Sequence, residues 1–352
     1  MNTPERAQGP RAAVADAASS ERNLESMSLG LGVVGFIVTA VVAILVFRFQ
    51  PAPISGPGSV GQFAAISSAV IAIVAFVAGR VLVHLRADGK RIGILDVVDI
   101  AALAFAHAVI ALLSWTLVSV IFEQAFIDAE IFGVAAIVLS GAVAAVTAYV
   151  AFFSATHMDL QLLAVVLAAF LVEGIVASML TADDPHWWME HLSALGMTND
   201  ISSLAFNLTL IVAGLIVTTL ARYATTGVPT THPHGMARVR LTLILVGVFL
   251  AFVGVFPVDE FFWIHTAFAS GMAVVFAVLV IRLPVWIPGI ARTFVYLGWL
   301  FLAGILALGI LFGIGYYTLT AVELVAGTLV FTWIILFLRN AAAVQEDARA
   351  GV

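Results

Sequence analysis

Four polar side chains sit where an apolar chain should hold none. Glu173, Asn207, His265 and Glu323 each interrupt a long hydrophobic run. An ionisable group inside hydrocarbon costs about 2.5–3.5 kcal/mol on insertion scales, so each needs a partner or a wet cavity. Counting at about 1.5 Å per residue from the predicted span ends puts Glu173 about 10 Å deep and Asn207 about 9 Å deep. His265 and Glu323 come out about 6 Å deep. All four therefore share one layer on one side, with Asp259 at its rim. A polar pocket there could bind a lipid headgroup or a cation, and histidine titrates near neutrality, so it could also carry protons. The alternative is an inter-helix hydrogen-bond cluster that fixes packing, at about 0.6–2 kcal/mol per contact.

Above this layer runs His186-Trp187-Trp188-Met189-Glu190-His191-Leu192. Adjacent tryptophans favour the headgroup region, where an amphipathic ring has one apolar and one wet side. A short interfacial helix is expected here, serving as an aromatic anchor or a gate. Acidic residues collect in the same set of loops: Glu123, Asp128 and Glu130; Asp183, Asp184, Glu190 and Asp200; Asp259 and Glu260. They form either a cation-attracting vestibule or a face from which positive charge is excluded.

Other chemistries find no support. The chain lacks cysteine, which removes disulfides, thiolate catalysis and Cys-ligated metals. His265 with Asp259 or Glu260 lacks a local His pair, and His186 and His191 would have to fold over, so no metal site is expected. Phosphate-binding loops and Ser-His-Asp elbows are missing, and Gly30-x-Gly32-x-x-Gly35 opens an apolar span without a preceding strand, so it reads as helix packing. No catalytic residues are assigned, no cofactor is expected, and a non-enzymatic role is favoured.

The elements that must position these residues follow from composition. Of 352 residues, 62% are hydrophobic and 10% charged, with a net charge of −6. Soluble domains have about 25% charged residues. A soluble enzyme, a disordered chain and a nucleic-acid binder are excluded. A hydrocarbon core needs about 20 apolar residues per helix. Ten such runs are present, near Leu29–Phe47, Gln62–Leu85, Ile94–Ile121, Ile131–Phe153, Leu160–Leu180, Ile201–Ala221, Val239–Phe256, Phe261–Ile281, Ile290–Ile314 and Leu319–Leu338. They are apolar on nearly every face, unlike barrel strands. The fold class is an all-α polytopic transmembrane helix bundle.

Arginine and lysine orient it. With the N-terminus in the cytoplasm, fourteen of the 15 basic residues fall inside, among them Arg6, Arg80, Lys90, Arg91, Arg222 and Arg339, and Arg48 alone falls outside. Both termini are expected in the cytoplasm. The use of Arg over Lys, with only Lys90 as lysine, and the abundance of Ala, Val and Gly fit a bacterial cell membrane. Residues 1–25 and 341–352 read as polar cytoplasmic tails, the former disordered. Asp96 and Asp99 suit the start of a helix, and Asp259 is placed to cap the helix carrying His265. His107, deep in the third run, needs a partner from elsewhere, and His232 and His234 fall in a Thr/Pro-rich inner loop.

The runs divide near residue 158, into a four-span block (26–157) and a six-span block (158–340). The second block carries, in order, Leu192-Ser193-Ala194-Leu195-Gly196, Phe206-Asn207-Leu208, Gly214, Phe256-Pro257 and His265. This order resembles the uncharacterised bacterial and archaeal membrane family known as domain of unknown function 998. That family is similar in topology to the Frag/DRAM/Sfk group of six-span membrane proteins. Asn207, Pro257 and His265 match its recurring positions, and the four-span block departs from its basic pattern. The resemblance implies a six-span unit and no established chemistry. A lipid-related role enters by analogy with eukaryotic relatives. Three functions are therefore expected in order: binding or modifying a lipid headgroup, with membrane lipids or a small molecule as partner; secondary transport; or a structural or assembly subunit of a membrane complex.

Overall fold

The structure, a computed structural model, describes residues 10–86, 92–197, 201–225 and 234–350, and the side chains of all of these except 10–20 and 342–350. Arg6, Lys90, Arg91, Asp200 and His232 lie outside the described residues. Ten helices among them are long and apolar enough to cross a membrane, and the chain is a multi-pass membrane protein. They are α1 (Pro10–Phe47), α2 (Val60–Arg86), α3 (Ile94–Ala125), α4 (Gly133–Thr156), α5 (Leu160–Leu180), α6 (Ile201–Ala224), α7 (Gly235–Val255), α8 (Phe262–Trp286), α9 (Arg292–Gly313) and α10 (Leu319–Ala350).

Two ends differ from the expected tails. Residues 10–25 continue α1 as helix, and α10 runs on to Ala350. Ala, Glu, Arg and Gln are good helix formers, and extending a helix already nucleated costs little. Polarity marks where the apolar span stops, and the helix continues past that point. Likewise α8 passes Pro284 and ends at Trp286, beyond the expected stop at Ile281.

The chain forms two compact units. One comprises residues 1–93 and His107–His157; the other comprises Ile94–Ala106 and residues 158–352. The first residues of α3 thus belong with the second unit.

In the first unit, α4 is the central helix, with α1 and α2 packed on it. Small residues let backbones approach. Gly32 faces the Ala145 carbonyl and Gly35 faces Ala144 and Ala148, where an added Cβ would lie 3.2 Å from its nearest neighbour. The Gly32 and Gly35 positions of the glycine motif therefore do pack helices. Buried polar groups pair across helices: His107 Nε2 with Ser154 Oγ (2.8 Å), and Trp115 Nε1 donating to Thr147 Oγ1 (3.0 Å). The His107 ring also packs at a tilt against Phe76, with centroids 4.4 Å apart. A two-residue ladder, β1 (Ala52–Pro53) with β2 (Glu130–Ile131), ties the two loops at one end antiparallel.

In the second unit, α5 to α8 pack in sequence order, α9 joins α8 and α10, and α10 returns against α5 and α6. The α6–α7 seam is a glycine contact. A Cβ on Gly214 would lie 2.3 Å from the Gly247 carbonyl oxygen, and one on Gly254 would lie 2.5 Å from the Asn207 carbonyl oxygen. Asn207 and Gly214 stand seven residues apart on α6, and Gly247 and Gly254 seven apart on α7, two turns each, so the antiparallel helices meet twice along one line. An aromatic layer of Phe276, Phe294, Trp333 and Phe337 fills the space between α8, α9 and α10. Much of α9 is exposed, with Trp299, Leu300, Leu306 and Ile310 on its surface, as a lipid-facing helix requires.

Candidate functional site

The loop between α5 and α6 is where the polar layer converges. Its first half turns on Asp184, whose Oδ1 accepts the His186 amide (2.8 Å), a side-chain turn typical of aspartate. Two short 3-10 turns follow, Trp187–Met189 and Leu192–Gly196, in place of the expected interfacial helix. The second turn is the anchored one. Leu195 is 1% exposed and plugs the unit.

Three of the four intramembrane side chains hold this turn. Glu323 Oε2, from the second turn of α10, accepts the Leu192 amide at 2.6 Å. It thereby satisfies an orphan N–H at the turn's start and places a carboxylate at its positive end. Asn207 Nδ2, from α6, donates to the Gly196 carbonyl at the turn's end (3.0 Å). Gly196 must lack a side chain here, since a Cβ would meet Asn207 Oδ1 at 2.5 Å. His265, from α8 and 5% exposed, reaches the middle: its Nε2 lies 3.2 Å from Ser193 Oγ.

The second His265 bond explains the Phe256-Pro257 motif. Pro257 cannot continue α7, so the helix stops at Val255 and the Phe256 carbonyl is left without a helical partner. His265 Nδ1 takes it at 2.8 Å. A carbonyl only accepts, so Nδ1 carries the proton, and in the neutral ring Nε2 accepts from the Ser193 hydroxyl. Asp259 does not cap α8 as expected. Pro257 turns the chain so that its carbonyl accepts the Phe261 amide (2.9 Å), Phe261 occupies the cap without a side-chain bond, and Asp259 is exposed.

Glu173 is half-buried on α5, beside Gly174, whose missing side chain admits Thr209 of α6. It is engaged in a polar contact of its own. Just beyond it, Ser178 and Ser202 form a buried reciprocal pair: each hydroxyl donates to the other residue's carbonyl at 2.9 Å. This clamp between α5 and α6 was not singled out from sequence. Serines near helix ends are common, and only the fold reveals their mutual reach.

His186 and Asp184 are both exposed, with ring and carboxylate 3.7 Å apart. Trp188 is exposed and Trp187 half-buried. His191 precedes the anchored turn, and its Nδ1 is buried without a hydrogen-bond partner among the described residues. Burial pulls its pKa below the usual histidine range, the nearby Glu190 opposes this, and His265 adds to the depression. No group of three metal-ligating side chains occurs among the described residues.

A cleft of about 180 Å³ opens beside the turn, lined by Asp183, Asp184, Trp187, Glu190, Met197 and Ser202 among others. The open space thus lies next to the polar layer, while Asn207, His265 and Glu323 spend their hydrogen bonds on the loop.

A second polar cluster sits at the far end of α6. Asp99 of α3, 8% exposed, pairs with Arg222 and accepts from Thr219 Oγ1 at 2.7 Å. Nearby, Arg240 Nε of α7 donates to Thr225 Oγ1 (2.7 Å). From sequence, Asp99 looked like a helix-start residue and Arg222 a topology marker. They lie more than a hundred positions apart, and no local pattern joins them.

Comparison with family models, curated proteins and solved structures finds no match for the chain.

Proposed function

We propose that the six-helix unit binds the cationic headgroup of a membrane lipid or amphiphile in the cleft of the α5–α6 loop. The observation that supports this reading is the lining: Asp183, Asp184 and Glu190 share one small cleft with the Trp187 indole. Carboxylates supply charge for an ammonium, and an indole face adds cation–π attraction. The loop joins two spans, so a headgroup reaches the cleft while its chains stay in hydrocarbon. Glu323, Asn207 and His265 keep the wall rigid, and a preformed wall avoids ordering costs on binding.

The test is titration of the purified chain in a neutral detergent with dodecyltrimethylammonium, read by tryptophan fluorescence. Asp183→Asn/Asp184→Asn/Glu190→Gln is expected to bind about tenfold more weakly, at roughly 0.5 kcal/mol per exposed charge contact. Equal binding by the triple variant sinks the reading.

Secondary transport is the second reading, and one observation favours it. The Asp99–Arg222 pair places ionisable groups inside an apolar unit, and such groups mark ion and proton pathways in transporters. It expects proton movement in liposomes that disappears in Asp99→Asn.

A further inference from the structure

Ser193 and His265 are 72 positions apart in the chain, and the fold brings Ser193 Oγ to 3.2 Å from His265 Nε2. The bond at the other ring nitrogen decides what this pair can do. Nδ1 donates to the Phe256 carbonyl at 2.8 Å, which fixes the tautomer that leaves Nε2 bare. A serine hydroxyl facing the bare nitrogen of a held imidazole is a nucleophile beside its base. In a Ser-His-Asp triad the carboxylate holds the ring and sets this tautomer. Here a backbone carbonyl does both, left open by Pro257 at the end of α7. A neutral carbonyl stabilises the imidazolium less than a carboxylate does, so slow turnover is expected.

A second pair, His107 with Ser154, is closer at 2.8 Å, but Ser154 is 4% exposed and no substrate reaches it. Ser193 is half-buried, on the turn that joins two spans, and can be reached. His265 stands three residues into α8, about 4.5 Å along it. Asp259 and Glu260, just before α8, are exposed. The pair therefore lies where hydrocarbon gives way to headgroups, the depth at which a membrane amphiphile carries its carboxylic ester. The Leu192 and Ser193 amides both point at the Glu323 carboxylate. Two adjacent N–H groups that hold one oxygen anion can hold another. An ester oxygen that displaces the carboxylate meets donors already in place as charge develops on it.

We propose that Ser193 and His265 form a nucleophile–base pair that cleaves the acyl ester of a membrane amphiphile. The Ser193 oxygen adds to the ester carbonyl carbon while its proton passes to His265 Nε2. The tetrahedral intermediate collapses, the ester C–O bond breaks, and the leaving alkoxide takes the proton from Nε2. Water then adds to the acyl-serine and gives a proton to Nε2. The second collapse returns that proton to the Ser193 oxygen and releases the carboxylic acid. The reaction needs no charge on the substrate, so its test is separate from the ammonium titration of the cleft.

The purified chain in neutral detergent is treated with a fluorophosphonate bearing a decyl chain, an uncharged probe that traps an activated serine by losing fluoride. Peptide mass spectrometry is expected to find the phosphonyl adduct on Ser193 and none on Ser154. His265→Asn keeps an amide donor for the Phe256 carbonyl and removes the base, so it should slow the adduct by about a hundredfold or more. Hydrolysis of para-nitrophenyl decanoate, present in the wild type and lost in Ser193→Ala, tests the same step without altering His265. An unlabelled Ser193, equal labelling in His265→Asn, or equal hydrolysis by Ser193→Ala each overturns the proposal.

Discussion

The two ends of α6 solve the same problem in opposite ways. At the Asn207 end, polar side chains bond to backbone: Asn207 to the Gly196 carbonyl, Glu323 to the Leu192 amide, His265 to the Phe256 carbonyl. Each bond is short-ranged and leaves no side chain dependent on an opposite charge. At the Arg222 end, about 22 Å away along the helix, Asp99 depends on the Arg222 guanidinium, with Thr219 as its second partner. The first arrangement fixes a loop, so the adjacent cleft has a stable wall. The second fixes the start of α3 to α6 by charge. Losing one partner costs far more at a charge pair than at an amide–carbonyl bond, because the remaining ion stays buried.

Arg222→Ala is thus expected to be the most damaging change, lowering unfolding free energy by about 3 kcal/mol in a detergent denaturation series. Asp99→Ala/Arg222→Ala should recover part of that loss, since neither charge is stranded. If Arg222→Ala costs no more than Asn207→Ala, the contrast between the two ends fails.

Gly214→Leu comes next, because it attacks the seam on which both ends hang. Its Cβ would overlap the Gly247 carbonyl, and relieving that overlap forces α6 and α7 apart. About 1–3 kcal/mol is expected, with both ends loosening together in hydrogen exchange. Loosening at one end alone would mean that they are mechanically independent.

Glu323→Ala is expected to cost about 1.5–3 kcal/mol at most, the range for hydrogen bonds to charged groups. It should act locally, with amide protection lost at Leu192 and retained at Arg222. Glu323→Gln keeps an acceptor and should preserve most of the protection. Protection lost at both ends in either variant would show that the loop-side network is not local.

The spans were legible because hydrocarbon demands apolarity on every face, and that demand is written residue by residue. Asn207, His265 and Glu323 were legible as a group for the same reason: a polar side chain in a span must be satisfied. What satisfies them was not legible. Ser193 and the Gly196 carbonyl become partners only once a 3-10 turn aims them, and the turn's conformation is set by α6, α8 and α10 together. The Asp259 cap failed because the turn at Pro257 puts Phe261, not Asp259, at the cap of α8. Asp99 and Arg222 were read separately because each alone suits its own helix end, Asp99 at the start of α3 and Arg222 near the end of α6.

The smallest expected effect is one of pH, and it belongs to the loop side alone. The His191 ring is partly buried, and burial favours its neutral form. Its folded pKa is therefore below its unfolded value, near 6.5. The unfolded chain then binds more protons over the interval between the two, so stability from this group is complete above about pH 6.5 and is lost as pH falls through the folded pKa. Glu190 narrows the interval and His265 widens it. Acidification from pH 8 to pH 5 should raise hydrogen exchange across Leu192–Gly196 and alter the emission of Trp187 and Trp188. Exchange at the Asp99–Arg222 end should stay constant, because that pair holds no histidine. His191→Gln should flatten the loop response while leaving its protection at pH 8 close to that of the wild type. An acid response that persists in His191→Gln would move the titrating group elsewhere on the loop. A response that spreads to the Arg222 end would erase the difference between the two ends of α6.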